Sequence, residues 1–155
     1  MTEIRAARFP EHLEAVRAIF REYAASLPVD LDFQNFAAEL ADLPGKYAEP
    51  EGRVLLAWSG REVLGSVAMR PLENDICEMK RLYVRPAGRG QSLGRQLAMR
   101  IVQVAKETGY RKIRLDTLPD MAAAQQLYAS LGFQAIAAYV YNPVAGTQFL
   151  ELDLA

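Results

Sequence analysis

The sequence predicts a mixed α/β fold of the α+β kind, six to seven strands and about four helices in the order β-α-α-β-β-β-α-β-α-β-β. Three observations predict it. Strand-like runs separated by tight polar turns occupy the middle of the chain, which makes an antiparallel meander. Apolar residues recur at helical spacing in four stretches around that meander. The C-terminal run alternates apolar and acidic residues, as a strand with one buried face does.

Taken in order, Ile4 to Arg8 reads as a short first strand. Pro10 suits a helix start, and Leu13, Val16, Ile19, Phe20 and Tyr23 follow at helical spacing until Ser26-Leu27-Pro28. Asp30 or Asp32 caps a second helix with Phe33, Phe36, Ala37 and Leu40 on its apolar face, stopped by Leu43-Pro44-Gly45. Val54–Trp58 and Val63–Met69 form a hairpin around Ser59-Gly60-Arg61-Glu62, and Glu73-Asn74-Asp75 turns into the strand Ile76–Val84. Leu93 to Lys106 is an amphipathic helix closed by Gly109. Lys112 to Thr117 alternates as a strand, and Asp120 caps a helix that ends at Leu131-Gly132. Gln134–Tyr139 and Gln148–Leu154 complete the strands. With 155 residues, 51% of them apolar, the chain suits a single domain over residues 1–155.

One strand breaks its own pattern. Cys77 and Met79 share one parity, whereas Leu82 and Val84 share the other. Either a bulge near Lys80 and Arg81 shifts the register, or the strand is buried on both faces.

Composition excludes several chemistries. Cys77 and His12 are the only cysteine and histidine, so an internal disulfide, a zinc cage or a Cys/His nucleophile pair lacks parts. No metal is expected. A net charge of -1 gives no general attraction to nucleic acid. No apolar run reaches the ~20 residues that cross a bilayer, and Thr2 to Arg8 has no signal-peptide middle, so a cytoplasmic protein without membrane contact is expected. The basic residues cluster instead, at Lys80, Arg81, Arg85, Arg89, Arg95 and Arg100 and again at Arg111, Lys112 and Arg114, which points either to a local anionic ligand or to a solvated charged face.

The strand ending at Val84 runs through Arg85-Pro86-Ala87-Gly88-Arg89-Gly90-Gln91-Ser92-Leu93-Gly94 into a helix N-terminus. Glycines there allow close backbone approach, and the first helical N–H groups point at the same spot, so an oligophosphate is the natural guest; a purely structural turn is the alternative. Neither the dinucleotide nor the Walker spacing matches.

Over nearly the whole chain the sequence resembles the GNAT superfamily of N-acetyltransferases. The motifs that carry the resemblance are Glu78-Met79-Lys80-Arg81-Leu82-Tyr83-Val84-Arg85-Pro86 followed by Arg89-Gly90-Gln91-Ser92-Leu93-Gly94, similar to that family's pyrophosphate loop, and Ala124 to Phe133, similar to its later tyrosine-bearing helix. Ser92 stands where the family usually has glycine, and could either obstruct backbone approach or donate a hydroxyl to phosphate. The resemblance implies a central, mostly antiparallel twisted sheet. It also implies acetyl-CoA as acyl donor, with Leu82, Tyr83, Val84, Arg89, Gly90, Gln91, Ser92, Leu93, Gly94 and Tyr128 as its binding residues.

Direct transfer to an amine needs a proton acceptor, because an alkyl amine with a pKa near ~10.4 arrives protonated. The resemblance gives that role to Glu78 and gives Tyr128 the role of acid toward the departing thiolate. On its strand Cys77 faces away from Glu78 and reads as a core residue. The resemblance places the acceptor between the first two helices and the last two strands, where Tyr23, Asp30, Asp32, Tyr141 and Asn142 are the candidate contacts. A lone domain leans toward a small-molecule amine; a protein amine, a non-catalytic acyl-CoA sensor and a structural domain without cofactor are the other readings. Homodimers are common in the family that the sequence resembles, and the edge near Tyr139 could pair, by analogy alone.

Overall fold

The computed structural model describes residues 2–155. Its strands are β1 (Thr2–Ala6), β2 (Arg53–Ser59), β3 (Glu62–Glu73), β4 (Ile76–Val84), β5 (Lys112–Thr117), β6 (Gln134–Ile136) and β7 (Gln148–Asp153). The helices are α1 (Leu13–Ala25), α2 (Phe36–Ala41), α3 (Leu93–Thr108) and α4 (Ala122–Ser130). One seven-stranded sheet runs in the order β1-β2-β3-β4-β5-β7-β6, antiparallel throughout except between β4 and β5. This is the mixed, mostly antiparallel fold that the sequence predicts.

Each face of the sheet carries its own core. On one, Leu93, Leu97, Ala98, Ile101 and Ala105 of α3 pack on Leu55, Val67, Met69, Cys77, Met79, Ile113 and Leu115. On the other, Val16, Ile19 and Phe20 of α1 pack on Val54, Leu56, Val63 and Ala68. Each fully buried aliphatic or aromatic side chain contributes about 1.5–3 kcal/mol, so these two layers hold the sheet between helices.

The register anomaly in β4 is a bulge. Ala68 pairs with Lys80 and Ser66 with Tyr83, so Val67 alone faces both Arg81 and Leu82. Arg81 sits at φ 61°, left-handed backbone that a bulky residue adopts only when its surroundings demand it. Ser66 Oγ donates to the Arg81 carbonyl at 2.9 Å, fixing the kink from β3. After the bulge Leu82 and Val84 rejoin the α3 face, as their parity requires.

The parallel seam is short. β4 and β5 pair only at Ile76–Lys112, Cys77–Ile113 and Glu78–Arg114. Beyond it the two strands part, and the β5-facing edge of β4 from Met79 to Val84 has no strand partner among the described residues.

Several element ends differ from the sequence expectation. α1 begins at Leu13 rather than Pro10, because the Arg8 N–H donates to His12 Nδ1 at 2.9 Å and the chain turns once before the helix starts. The second helix is split: Leu31–Gln34 is a 3-10 turn, Asn35 is left-handed at φ 56°, and only Phe36–Ala41 is α-helical. Asp120 does not cap α4; Met121 stands at that position, and the Gln125 side chain donates to the Leu118 carbonyl instead. β6 stops at Ile136, three residues before Tyr139, whose ring leaves the sheet edge to pack against Phe149.

Candidate active site

The fork between β4 and β5 opens into two adjoining hollows. A narrow cavity of about 40 Å³ lies under the fork, walled by Tyr23, Met79, Leu82, Thr117, Met121 and Tyr128 among others. A wider pocket of about 270 Å³ adjoins it, walled by Asn35, Lys46, Arg70, Glu78, Val140 and Tyr141 among others. Phe33, Gln34, Lys80 and Asp116 line both. The two candidate proton-transfer residues therefore stand on opposite sides of one junction, Glu78 in the wide pocket and Tyr128 in the narrow cavity.

Glu78 is fully buried and held at both oxygens. Arg70 Nε donates to Oε1 at 3.0 Å from the opposite strand, and the Tyr139 hydroxyl donates to Oε2 at 2.8 Å. This carboxylate is fixed in one orientation with its charge compensated, the condition for burying it at all. Burial, followed by the Glu78 charge and the hydrogen bond to Glu78, pushes the Tyr139 hydroxyl well above the ordinary phenol range, so it remains a donor.

At the junction Lys80 Nζ donates to Gln34 Oε1 at 3.0 Å and lies 4.0 Å from Asp116 Oδ1. Burial pulls the Lys80 ammonium below its usual range, while Glu78 and Asp116 act against that pull. Asp116 also accepts from Asn142 Nδ2 at 3.0 Å. Thr117 Oγ1 is buried on the cavity wall with no hydrogen-bond partner among the described residues. A ligand group in the cavity would satisfy it. Burial also raises the Tyr128 hydroxyl above the phenol range, which keeps its proton in place at neutral pH.

The glycine turn meets the geometric demands of an anion site. Gly90 has φ 87° and open space where a side chain would sit, and a Cβ on Gly94 would meet only Val84, at 3.7 Å. The first α3 hydrogen bond is Gln96 N–H to the Ser92 carbonyl, leaving the N–H groups of Leu93, Gly94 and Arg95 without helical acceptors. Ser92 occupies the cap in left-handed backbone at φ 56° and makes no side-chain cap bond. Leu93 is buried in the core, while Arg89, Gly90, Gln91 and Ser92 are exposed around the turn. Tyr83 turns away, its hydroxyl donating to Glu22 Oε1 at 3.2 Å.

The candidate acceptor contacts divide. Tyr23 and Asn142 line the narrow cavity, and Tyr141, exposed and edge-on to Phe33, lines the wide pocket. Asp30 and Asp32 line neither hollow: Asp30 accepts from the Asp32 N–H at 3.0 Å and both stay exposed. The basic cluster also disperses. Arg81, Arg85 and Arg114 are spent on Glu39, Glu22 and the Glu73/Glu151 pair, so these three are already compensated within the fold. Arg70, Asp116 and Thr117 are not singled out by sequence, Lys80 is read there only as one of a basic cluster and Tyr139 only as a strand and edge residue, because only the fold brings β3, β4, β5 and the β6–β7 connection to one point. Among the described residues no group of His, Cys, Asp and Glu is arranged to hold a metal, and no helix is long and apolar enough to cross a membrane.

An open strand edge leading to a helix N-terminus, with titratable groups across the fork, is the layout of an acyltransferase that draws on a phosphorylated carrier. Comparisons with known proteins agree. The "Acetyltransferase (GNAT) family" matches residues 13–133. An uncharacterized N-acetyltransferase of Schizosaccharomyces pombe is 38% identical over 154 residues, covering 98% of this chain and 94% of that protein. A GNAT-family acetyltransferase from Staphylococcus aureus superposes with a TM-score of 0.80 over the whole of both chains at 20% identity. A putative acetyltransferase from Salmonella typhimurium, solved with its cofactor acetyl-CoA, superposes with a TM-score of 0.71 at 23% identity, covering 99% and 94% of the two chains. The chain belongs to the GNAT acetyltransferase family and is an N-acetyltransferase.

Proposed function

We propose that this single-domain protein works in the cytoplasm and transfers an acetyl group from acetyl-CoA directly to the amine of a small molecule. The observation that carries the reading is the junction itself, where Glu78 and Tyr128 flank a shared wall of Gln34, Lys80 and Asp116. The Salmonella relative of the same fold binds acetyl-CoA, and the residues here fit that donor. Its pyrophosphate lies against Gly90–Gly94 and the α3 N-terminus, and its pantetheine pairs with the unpartnered edge of β4. The amine enters the wide pocket and gives up its proton to Glu78, which Arg70 and Tyr139 hold in position. The oxyanion of the tetrahedral intermediate takes a hydrogen bond from a free N–H of β4 near Leu82–Val84. Tyr128 then protonates the leaving thiolate. Cys77 takes no part, being buried against the other face.

The test has two stages. Acetyl-CoA at a hundred times its dissociation constant should stabilise the fold by ~2.7 kcal/mol, an increase in melting temperature of roughly 5–10 °C for a chain of this size. An unchanged midpoint at millimolar acetyl-CoA defeats the donor assignment. Glu78→Gln should lower turnover on amines most at low pH while sparing acetyl-CoA affinity, and Tyr128→Phe should slow thiol release. Full activity in both variants defeats the role assignments.

A further inference from the structure

The wide pocket is not a simple receptacle for a cation. Its charged wall residues are Lys46, Arg70 and Lys80 against Glu78 and Asp116, a surplus of one positive charge. Lys80 is engaged by Gln34 and Asp116. Arg70 uses only Nε, leaving both terminal nitrogens without a hydrogen-bond partner among the described residues. Lys46 is exposed and makes no ion pair within 4.0 Å among them; Asp42, four residues earlier on the same rim, does not reach it, and Glu39 is taken up by the Arg81 guanidinium. Arg70 and Lys46 also line an adjoining pocket of about 220 Å³, so they form the ridge between two openings.

An alkylammonium entering this pocket would add a second uncompensated positive charge, and the penalty for crowding like charges grows as water leaves. A zwitterion would not. The free edge of an arginine guanidinium matches a carboxylate with two parallel hydrogen bonds, and a lysine beside it adds a point charge. We propose that the acceptor is an amino carboxylate, its carboxylate held by Arg70 and Lys46 and its amine presented to Glu78. Arg70 and Glu78 face each other directly across the β3–β4 pair, so the two functional groups of the acceptor are only a few bonds apart, as in an α- or β-amino acid. This inference rests on reading the wide pocket as the acceptor site.

The experiment measures acetylated product by mass in matched triplets: an amino acid, its carboxamide, and the amine lacking the carboxyl carbon, across small, acidic, basic and aromatic side chains. The carboxamide also stands for a protein N-terminus. At least one amino carboxylate should exceed both of its partners in kcat/KM by about 10- to 100-fold, the worth of one or two charge-assisted hydrogen bonds. Lys46→Gln should narrow that ratio through KM for the carboxylate, and Arg70→Lys should narrow it further. Carboxamides or plain amines acetylated as well as every carboxylate overturn the inference while leaving the acetyltransferase reading intact. Should no triplet react, calorimetry with the carboxylate and carboxamide pairs decides: equal or absent binding overturns the inference, and preferential binding of a carboxylate supports it.

Discussion

Replacing Arg81 with methionine should destabilise the protein by about 3 kcal/mol, although Arg81 lies in the middle of the sheet and not in a helix core. Its guanidinium is almost inaccessible and donates from Nε and Nη2 to the two Glu39 oxygens at 2.9 and 2.8 Å, and from Nη1 to Gln34 Oε1 at 2.9 Å. Breaking a buried pair by removing one partner costs about 3–5 kcal/mol, because the other charge is left uncompensated. Glu39 keeps 11% of its side-chain surface and can partly rehydrate, which argues for the lower end. Methionine pays the same left-handed backbone cost as arginine and still fills the space between the Tyr23 and Phe36 rings, so neither effect confuses the result. Urea unfolding at neutral pH measures it: with a slope of about 2 kcal/mol per molar, the midpoint should fall by roughly 1.5 M. Adding Glu39→Leu should recover much of the loss, since no unpaired charge remains. A single variant within about 1 kcal/mol of the parent, or a double variant no better than the single, refutes the reasoning.

Three further outcomes follow from other residues. Ser92→Gly trades a left-handed cost of about 1 kcal/mol against the ~0.4–1 kcal/mol of chain entropy that glycine adds to the unfolded state; the fold should be unchanged or slightly more stable in urea, with acetyl-CoA binding retained, and a clear loss of stability would show that Ser92 does more than turn the chain. The Cys77 thiol, pushed up to about 12 chiefly by burial, should resist thiol reagents at pH 8 in the folded chain and react once per chain in denaturant; rapid labelling of the folded protein contradicts its burial. Lys80 is lowered from 10.5, so between its folded value and 10.5 the unfolded chain binds more protons and stability rises with pH, the cost being fully present below that window. Lys80→Met should remove this component of the slope in urea unfolding between pH 7 and 10.5, and identical slopes would count against it.

Much of this architecture is written in local pattern. Period-two alternation from Ile113 to Thr117 and helical spacing from Leu93 to Lys106 depend on one buried face each, and both elements appear where the pattern puts them. The bulge was legible only as one of two readings, because the reversed parity of Cys77 and Leu82 fits an inserted residue and a strand buried on both faces alike; β4 has both, with Cys77 to Arg81 buried and the register shifted at Arg81. What stayed hidden depends on contacts between distant segments. The paired cations Arg81, Arg85 and Arg114 look like an anion site in sequence, yet their carboxylates come from positions 39, 22, 73 and 151. Tyr139 read as a strand residue because nothing near it in sequence signals that its hydroxyl will cross to Glu78. Helix starts were misread at Pro10 and Asp120 for a related reason: the competing donors and acceptors, His12 and Gln125, lie beyond the cap itself.

The three-residue seam between β4 and β5 has a consequence for what kind of event donor binding is. The sheet consists of two blocks stitched at Ile76, Cys77 and Glu78, and beyond them the fork-side edge of β4 has no strand partner among the described residues. A carrier whose own amides lie along that edge would supply the missing rungs of the ladder. Binding is then partly the completion of a secondary structure that the polypeptide leaves unfinished. Amide hydrogen exchange should register the difference within Met79–Val84, and release of the product carrier would return the sheet to its divided state.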